Sequence, residues 1–143
     1  MRQLTFWDAS VLVSLCIPQP ATPFVTKLSR NYDVVVWWAT PVEIASALAR
    51  LVRTRAIGAT ESAEARRLAT GIAVWWLVIG PSDALRARAI GIVERYDLRA
   101  ADALQVSAGL EWCREDPRGR VFLTADKKLR DAALLCGFDA PQI

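Results

Sequence analysis

Two stretches of the chain are apolar on consecutive positions instead of alternating. Leu4 to Trp7 is closed by Asp8, and Asp33 to Trp38 reads DVVVWW between polar neighbours. Short runs rich in β-branched and aromatic residues predict strands buried on both faces. Arg120 to Thr124 (RVFLT) predicts another, and a short final strand is expected to include Phe138 after Gly137. Between these runs the period turns helical. Thr40, Pro41 and Glu43 supply an N-cap, a proline at the first helical position and a capping-box acid. They open a helix that carries Val42, Ala45, Leu48, Ala49 and Val52 inward and ends near Gly58. Further helices are predicted from Thr60 through Trp76 and from Ser82 to Tyr96, the latter with Leu85, Ala89, Ile92, Val93 and Tyr96 on one face. A fourth covers Ala100 to Arg114, and the last runs from around Asp126 to Gly137, a residue suited to a left-handed C-cap.

Strands with few polar positions, separated by helices, predict an α/β fold: an α/β/α sandwich around a central, mostly parallel twisted sheet. At 143 residues without a linker-like stretch, residues 1–143 read as one domain. The most apolar run, Ile72 to Ile79, is far shorter than the ~20 residues a membrane span needs. Arg2 and the run Val11 to Ile17 imitate a signal peptide, but Asp8 interrupts it and Pro18, Pro20 and Pro23 replace a small-residue cleavage site. The expectation is mature structure in the cytoplasm, with no membrane partner.

Composition narrows the chemistry. With 53% hydrophobic and 23% charged residues the chain is neither disordered nor fibrous. Three cysteines, Cys16, Cys113 and Cys136, lack metal-ligand spacing and lie in apolar stretches, so buried thiols are expected rather than disulfides. Histidine is absent. That excludes Ser-His-Asp and Cys-His nucleophile systems and His-ligated zinc, and leaves any hydrolysis to carboxylates with a hard metal ion. The net charge of +3 is compatible with a polyanionic partner. Its arginines cluster on predicted helices, at Arg50, Arg53, Arg55, Arg66, Arg67, Arg86, Arg88, Arg95 and Arg99. Arginine suits bidentate phosphate contacts, although a solvated helix face explains each one more simply.

Asp8 ends the first strand, Glu43 stands in the first turn after DVVVWW, Asp102 opens the Ala-rich fourth helix and Asp126 lies just beyond RVFLT. Taken singly, Glu43 and Asp126 read as caps, because acids favour helix starts. Asp8 and Asp102 resist that reading, since one closes an apolar strand and the other interrupts a small apolar run. In an open parallel sheet all four would meet at the carboxyl edge, where ligands bind. Crowding them costs about 3 kcal/mol per pair at ~5 Å with an effective dielectric near 20. A divalent cation offsets that cost. Oxygen-only ligation favours Mg²⁺, or Mn²⁺, over zinc and points to phosphodiester chemistry.

At these residues the sequence resembles the PIN-domain family, specifically the VapC-type toxin ribonucleases of bacterial toxin–antitoxin pairs. The matching blocks are FWDASVLV at Phe6 to Val13, TPVEIASALAR at Thr40 to Arg50, LRAADALQVSAGL at Leu98 to Leu110 and VFLTADKKLRDAALLCGF at Val121 to Phe138. Their order and contexts carry the likeness more than any one block. The resemblance implies that Asp8, Glu43, Asp102 and Asp126 hold Mg²⁺, with Ser10 and Thr124 lending oxygen atoms nearby. It also implies RNA cleavage, homodimerisation and silencing by an antitoxin whose tail occupies the acidic groove. Gln105 and Ser107 are variants within a loosely held pattern.

Two other readings stand beside this one. A non-catalytic PIN-like module would bind RNA or a protein without needing Mg²⁺ at the acids. Receiver-type or phosphatase chemistry expects Asp-x-Asp after the first strand, whereas this chain has Asp8-Ala9-Ser10. Core or subunit packing is the first expectation for Trp37-Trp38 and Trp75-Trp76, with nucleobase stacking open to one of each pair. Apolar helical surface around Trp75 and Trp76 is expected to support a dimer. Lys127 and Lys128, next to Asp126, suit a phosphate contact or a solvated first turn equally well.

Overall fold

Alternation along short apolar strands divides their side chains between two cores. Phe6, Val35, Trp37 and Phe122 enter one, while Trp7, Val36 and Leu123 enter the other. The computed structural model describes residues 2–143. Within them β1 (Gln3–Trp7), β2 (Tyr32–Trp37), β3 (Leu77–Ile79) and β4 (Phe122–Leu123) form one sheet in the order β3-β2-β1-β4. Every pairing is parallel.

The first core is closed by α5 (Asp83–Arg95), α6 (Ala100–Trp112) and α7 (Lys127–Cys136), through residues such as Leu85, Ile92, Val106 and Leu129. The second is closed by α1 (Ala9–Cys16), α2 (Thr22–Asn31), α3 (Thr40–Arg53) and α4 (Ala59–Ala73), through Leu12, Val25, Leu48 and Ala65. The α/β/α sandwich is therefore present, with a PIN-like layer arrangement. Close approach is built in at Gly109, where an added Cβ would lie 3.2 Å from the rings of Phe122 and Phe138. Trp7 is fully buried, and its indole N–H donates to Thr5 Oγ1 at 2.7 Å, two residues back on the same face.

Several expectations are met in detail. Ser82 caps α5 by accepting from the Leu85 N–H at 3.1 Å. Gly137 ends α7 at φ +106°, in the left-handed region, and the Phe138 N–H returns to the Ala133 carbonyl. All three cysteines are free, as expected, although only Cys113 is buried and Cys16 and Cys136 are half-buried. No helix among the described residues is long and apolar enough to cross a membrane.

Other expectations are corrected. The helix expected through Trp76 ends at Ala73; the Trp75 and Trp76 N–H groups bond three residues back, a tightened last turn, and β3 begins at Leu77. The Ile72 to Ile79 run is apolar without a period, so it could not separate helix from strand. Trp75 thus projects from a turn, 85% exposed, rather than from a helix. Val42 is 70% exposed, because the buried stripe of α3 runs through Thr40, Ile44 and Leu48. Val93 is exposed for the same reason of helical phase. The final strand reduces to one bridge, Val121 to Asp139. α1 and α2 have no counterpart in the sequence reading: α1 is apolar nearly all round, and α2 buries only Val25.

Candidate active site

From β1 the chain steps outward to β2 and β3, then returns to place β4 on the far side of β1. The order therefore reverses between β1 and β4, and the crevice beyond their carboxyl ends is where open parallel sheets bind ligands. Asp8 leaves β1 there, and Thr124 and Asp126 leave β4.

Asp8 is buried at 6% exposure. Its Oδ2 accepts from Ser10 Oγ at 2.6 Å and from Thr124 Oγ1 at 2.8 Å. Those hydroxyls are themselves fixed: the Ala125 N–H donates to Ser10 Oγ and the Asp126 N–H to Thr124 Oγ1, both at 3.0 Å. Burial pushes the Asp8 pKa up, and the two hydroxyls oppose the shift without cancelling it. Although Asp8 occupies the N-cap position of α1, its side chain makes no capping bond.

Glu43 closes no capping box either. The N-cap position belongs to Ala39, and Thr40, the expected cap, is buried inside the first turn. Glu43 Oε2 instead accepts from Gln105 Nε2, which also donates to Thr40 Oγ1 at 3.3 Å. Burial, reinforced by the charges of Asp8 and Asp102, raises Glu43 to about 7 despite the amide. Asp102, half-buried in the first turn of α6, is raised by burial and by Asp8 and Asp126, with Arg99 opposing. Asp126 does cap: its Oδ1 accepts from the Leu129 N–H at 2.9 Å at the start of α7.

The structure thus brings all four sequence-predicted acids to one sheet edge. Among the described residues none of the four enters an ion pair, whereas Asp33, Asp83, Asp97, Glu111, Glu115 and Asp116 all do. Three of the four hold their protons more readily than free carboxylates, Asp8 through burial alone and Glu43 and Asp102 through burial reinforced by neighbouring acids. The donor set is oxygen only, which fits a hard divalent cation. Among the described residues no three Asp, Glu or Cys side chains converge closely enough to form a ready-made ligand set. The acids sense one another electrostatically without meeting. Sequence reasoning passed over Thr40 and Gln105, the first as a cap and the second as a pattern variant. The available signal was a lone amide three residues after Asp102 on an apolar helix.

The class that this fold defines is the PIN-like α/β/α domain. No protein-family model matches the chain, and a comparison with curated proteins found no match. Solved structures are similar in fold. A toxin–antitoxin complex from Klebsiella pneumoniae contains a chain superposing with a TM-score of 0.66 at 13% identity, over 97% of this chain and 99% of that one. VapBC2 from Rickettsia felis, bound to a DNA fragment from its promoter, gives 0.64 at 9% identity, over 98% of each chain. FitAcB from Neisseria gonorrhoeae gives 0.62 at 19% identity, over 96% and 97%. These neighbours fit the VapC-type resemblance of the sequence, and at such identities the likeness is one of fold.

Proposed function

We propose that this chain is a Mg²⁺-dependent endoribonuclease, the toxin of a toxin–antitoxin pair acting in the cytoplasm. The observation that carries the reading is the set of unpaired acids Asp8, Glu43, Asp102 and Asp126 at the switch point of the sheet. A fold shared with chains of toxin–antitoxin complexes supports the physiological role.

The acids would hold Mg²⁺ or Mn²⁺, which supplies charge neutralisation at a phosphodiester and lowers the pKa of water there. Ser10 and Thr124 restrain the Asp8 carboxylate and spare it from finding its orientation at the moment of reaction. Asp126 keeps one oxygen on the α7 cap, which fixes its carboxylate relative to β4. Because the side chains do not converge unaided, these residues would have to move closer together to hold a cation jointly. The exposed Val74 and Trp75, next to a cavity of about 310 Å³ that includes Leu68 and Ile72, offer apolar surface to an antitoxin or a second copy.

The test is direct. Purified, antitoxin-free protein is incubated with structured RNAs in Mg²⁺ and in Mn²⁺, beside Asp8→Asn and Glu43→Gln. Metal-dependent cleavage lost in both variants is the expected outcome. Intact RNA in both metals, together with no metal binding by calorimetry, would favour the non-catalytic module instead.

A further inference from the structure

Gln105 is completely buried on α6, among the apolar Ala103, Val106 and Ala108. Its Nε2 serves two acceptors on α3, Thr40 Oγ1 and Glu43 Oε2, while its Oε1 is buried with no hydrogen-bond partner. An apolar side chain of similar size would fill this position without stranding a carbonyl oxygen, so packing alone argues against an amide here. Turning the amide over would aim Oε1 at the Glu43 carboxylate, oxygen against oxygen. The amide therefore gives up one acceptor in order to present its donors to α3.

The location adds a second argument. α3 and α6 cover opposite faces of the sheet, and Thr40 follows closely on the carboxyl end of β2. Gln105 thus ties the two helical layers together at the edge where the acids lie. Asp102 precedes it by three residues on α6, a spacing that puts both on one side of the helix.

We propose that Gln105 is a positioning residue, whose amide holds the Glu43 carboxylate in place beside Asp102 for cation binding. This rests on the acidic-site reading above. Residues that orient ligands from behind change metal affinity by about 10- to 100-fold when removed.

The experiment is a double-mutant cycle read by Mn²⁺ calorimetry without RNA, using wild type, Gln105→Leu, Glu43→Gln and the double variant. Gln105→Leu is expected to lower Mn²⁺ affinity about tenfold and to change affinity little once Glu43→Gln is present. Wild-type affinity in Gln105→Leu overturns the proposal and leaves the acidic site standing. An equal loss in both backgrounds also overturns it, because Gln105 then acts on the fold. A wild-type protein that binds no Mn²⁺ overturns the acidic-site reading and this proposal with it. Should Gln105→Leu fail to fold, Gln105→Met, which keeps the length of the side chain, takes its place in the same cycle.

Discussion

Two clusters of acids in this molecule are treated in opposite ways. Between α5 and α6, Glu111 and Glu115 meet Arg88, which is only 18% exposed: Nη2 lies 2.8 Å from Glu111 and Nε 3.0 Å from Glu115. The same guanidinium reaches the Ser107 carbonyl and hydroxyl at 3.3 Å. Each carboxylate has a cation in contact and nearly every guanidinium donor is used, which is what a structural cluster requires. At the carboxyl edge of the sheet, Asp8 has two hydroxyls for company and Glu43 an amide, and among the described residues no basic side chain forms an ion pair with either of them or with Asp102. One chain, rich in arginine, pairs acids where they hold helices together and leaves them unpaired at the carboxyl edge of the sheet. Unmatched buried charge lowers stability, and at a switch point it is the arrangement that the proposed cation site would relieve.

Neutralising the unmatched cluster should have the largest effect. Asp8→Asn, Glu43→Gln and Asp102→Asn each keep size and hydrogen bonding while removing charge. RNA cleavage should fall by at least about a hundredfold, as expected when a metal ligand is lost. The metal-free melting temperature should hold or rise as repulsion among the remaining acids is relieved. Parallel losses of activity and folding in all three would assign these acids to the structural class.

The matched cluster should show the reverse pattern. Arg88→Ala strands Glu111, Glu115 and the Ser107 carbonyl, and should cost about 1–3 kcal/mol in urea unfolding. Mn²⁺ affinity should stay at the wild-type value, since Arg88 touches none of the edge acids.

The pH dependence separates the clusters further. A carboxylate raised on folding binds its proton more tightly in the native state, so it stabilises at low pH and loses that contribution as pH rises through its folded pKa. For Glu43 the window runs from its ordinary 4.5 to about 7. Burial raises Asp8 and Asp102 in the same sense. Metal-free protein should therefore melt at progressively lower temperature from about pH 5 to about pH 7, less steeply in Glu43→Gln. Saturating Mg²⁺ should flatten the decline, because it binds the ionised acids of the native state alone.

How much of this contrast the sequence carries differs between the parts. β1, β2, β4 and the helices α3, α5, α6 and α7 follow from apolar runs, caps and the Gly137 stop, all of them local signals. β3 escaped because the three residues between it and α4 share its apolar run, and α1 escaped because a short, mostly buried helix has no charged face to mark its period. The rule that parallel strands end together does not place Asp102, which opens a helix that follows another helix, whereas it made the edge position of Asp8, Glu43 and Asp126 legible. What Glu43 touches was not: its partner is 62 residues away, and the Thr40-Pro41-Val42-Glu43 pattern gave a sufficient local explanation as a cap. Gln105 stood out only as a lone amide on an apolar helix, since its meaning depends on an acceptor brought in from another layer.

The smallest expected effect falls on Asp126, which belongs to both classes. Its Oδ1 caps α7 through the Leu129 N–H, and its charge raises Asp102 across the edge. Asparagine caps about as well as aspartate, so Asp126→Asn should change metal-free stability by only a few tenths of a kcal/mol, whereas Asp126→Ala should lose about 1 kcal/mol with the cap. Both substitutions remove the charge, so both should shrink the rise in melting temperature that Mg²⁺ produces, and by the same amount. Stability thus reads the cap and the metal response reads the charge, in one residue and one thermal assay. If Asp126→Asn retains the full Mg²⁺ response, Asp126 is a cap alone, and the cation site contracts to Asp8, Glu43 and Asp102.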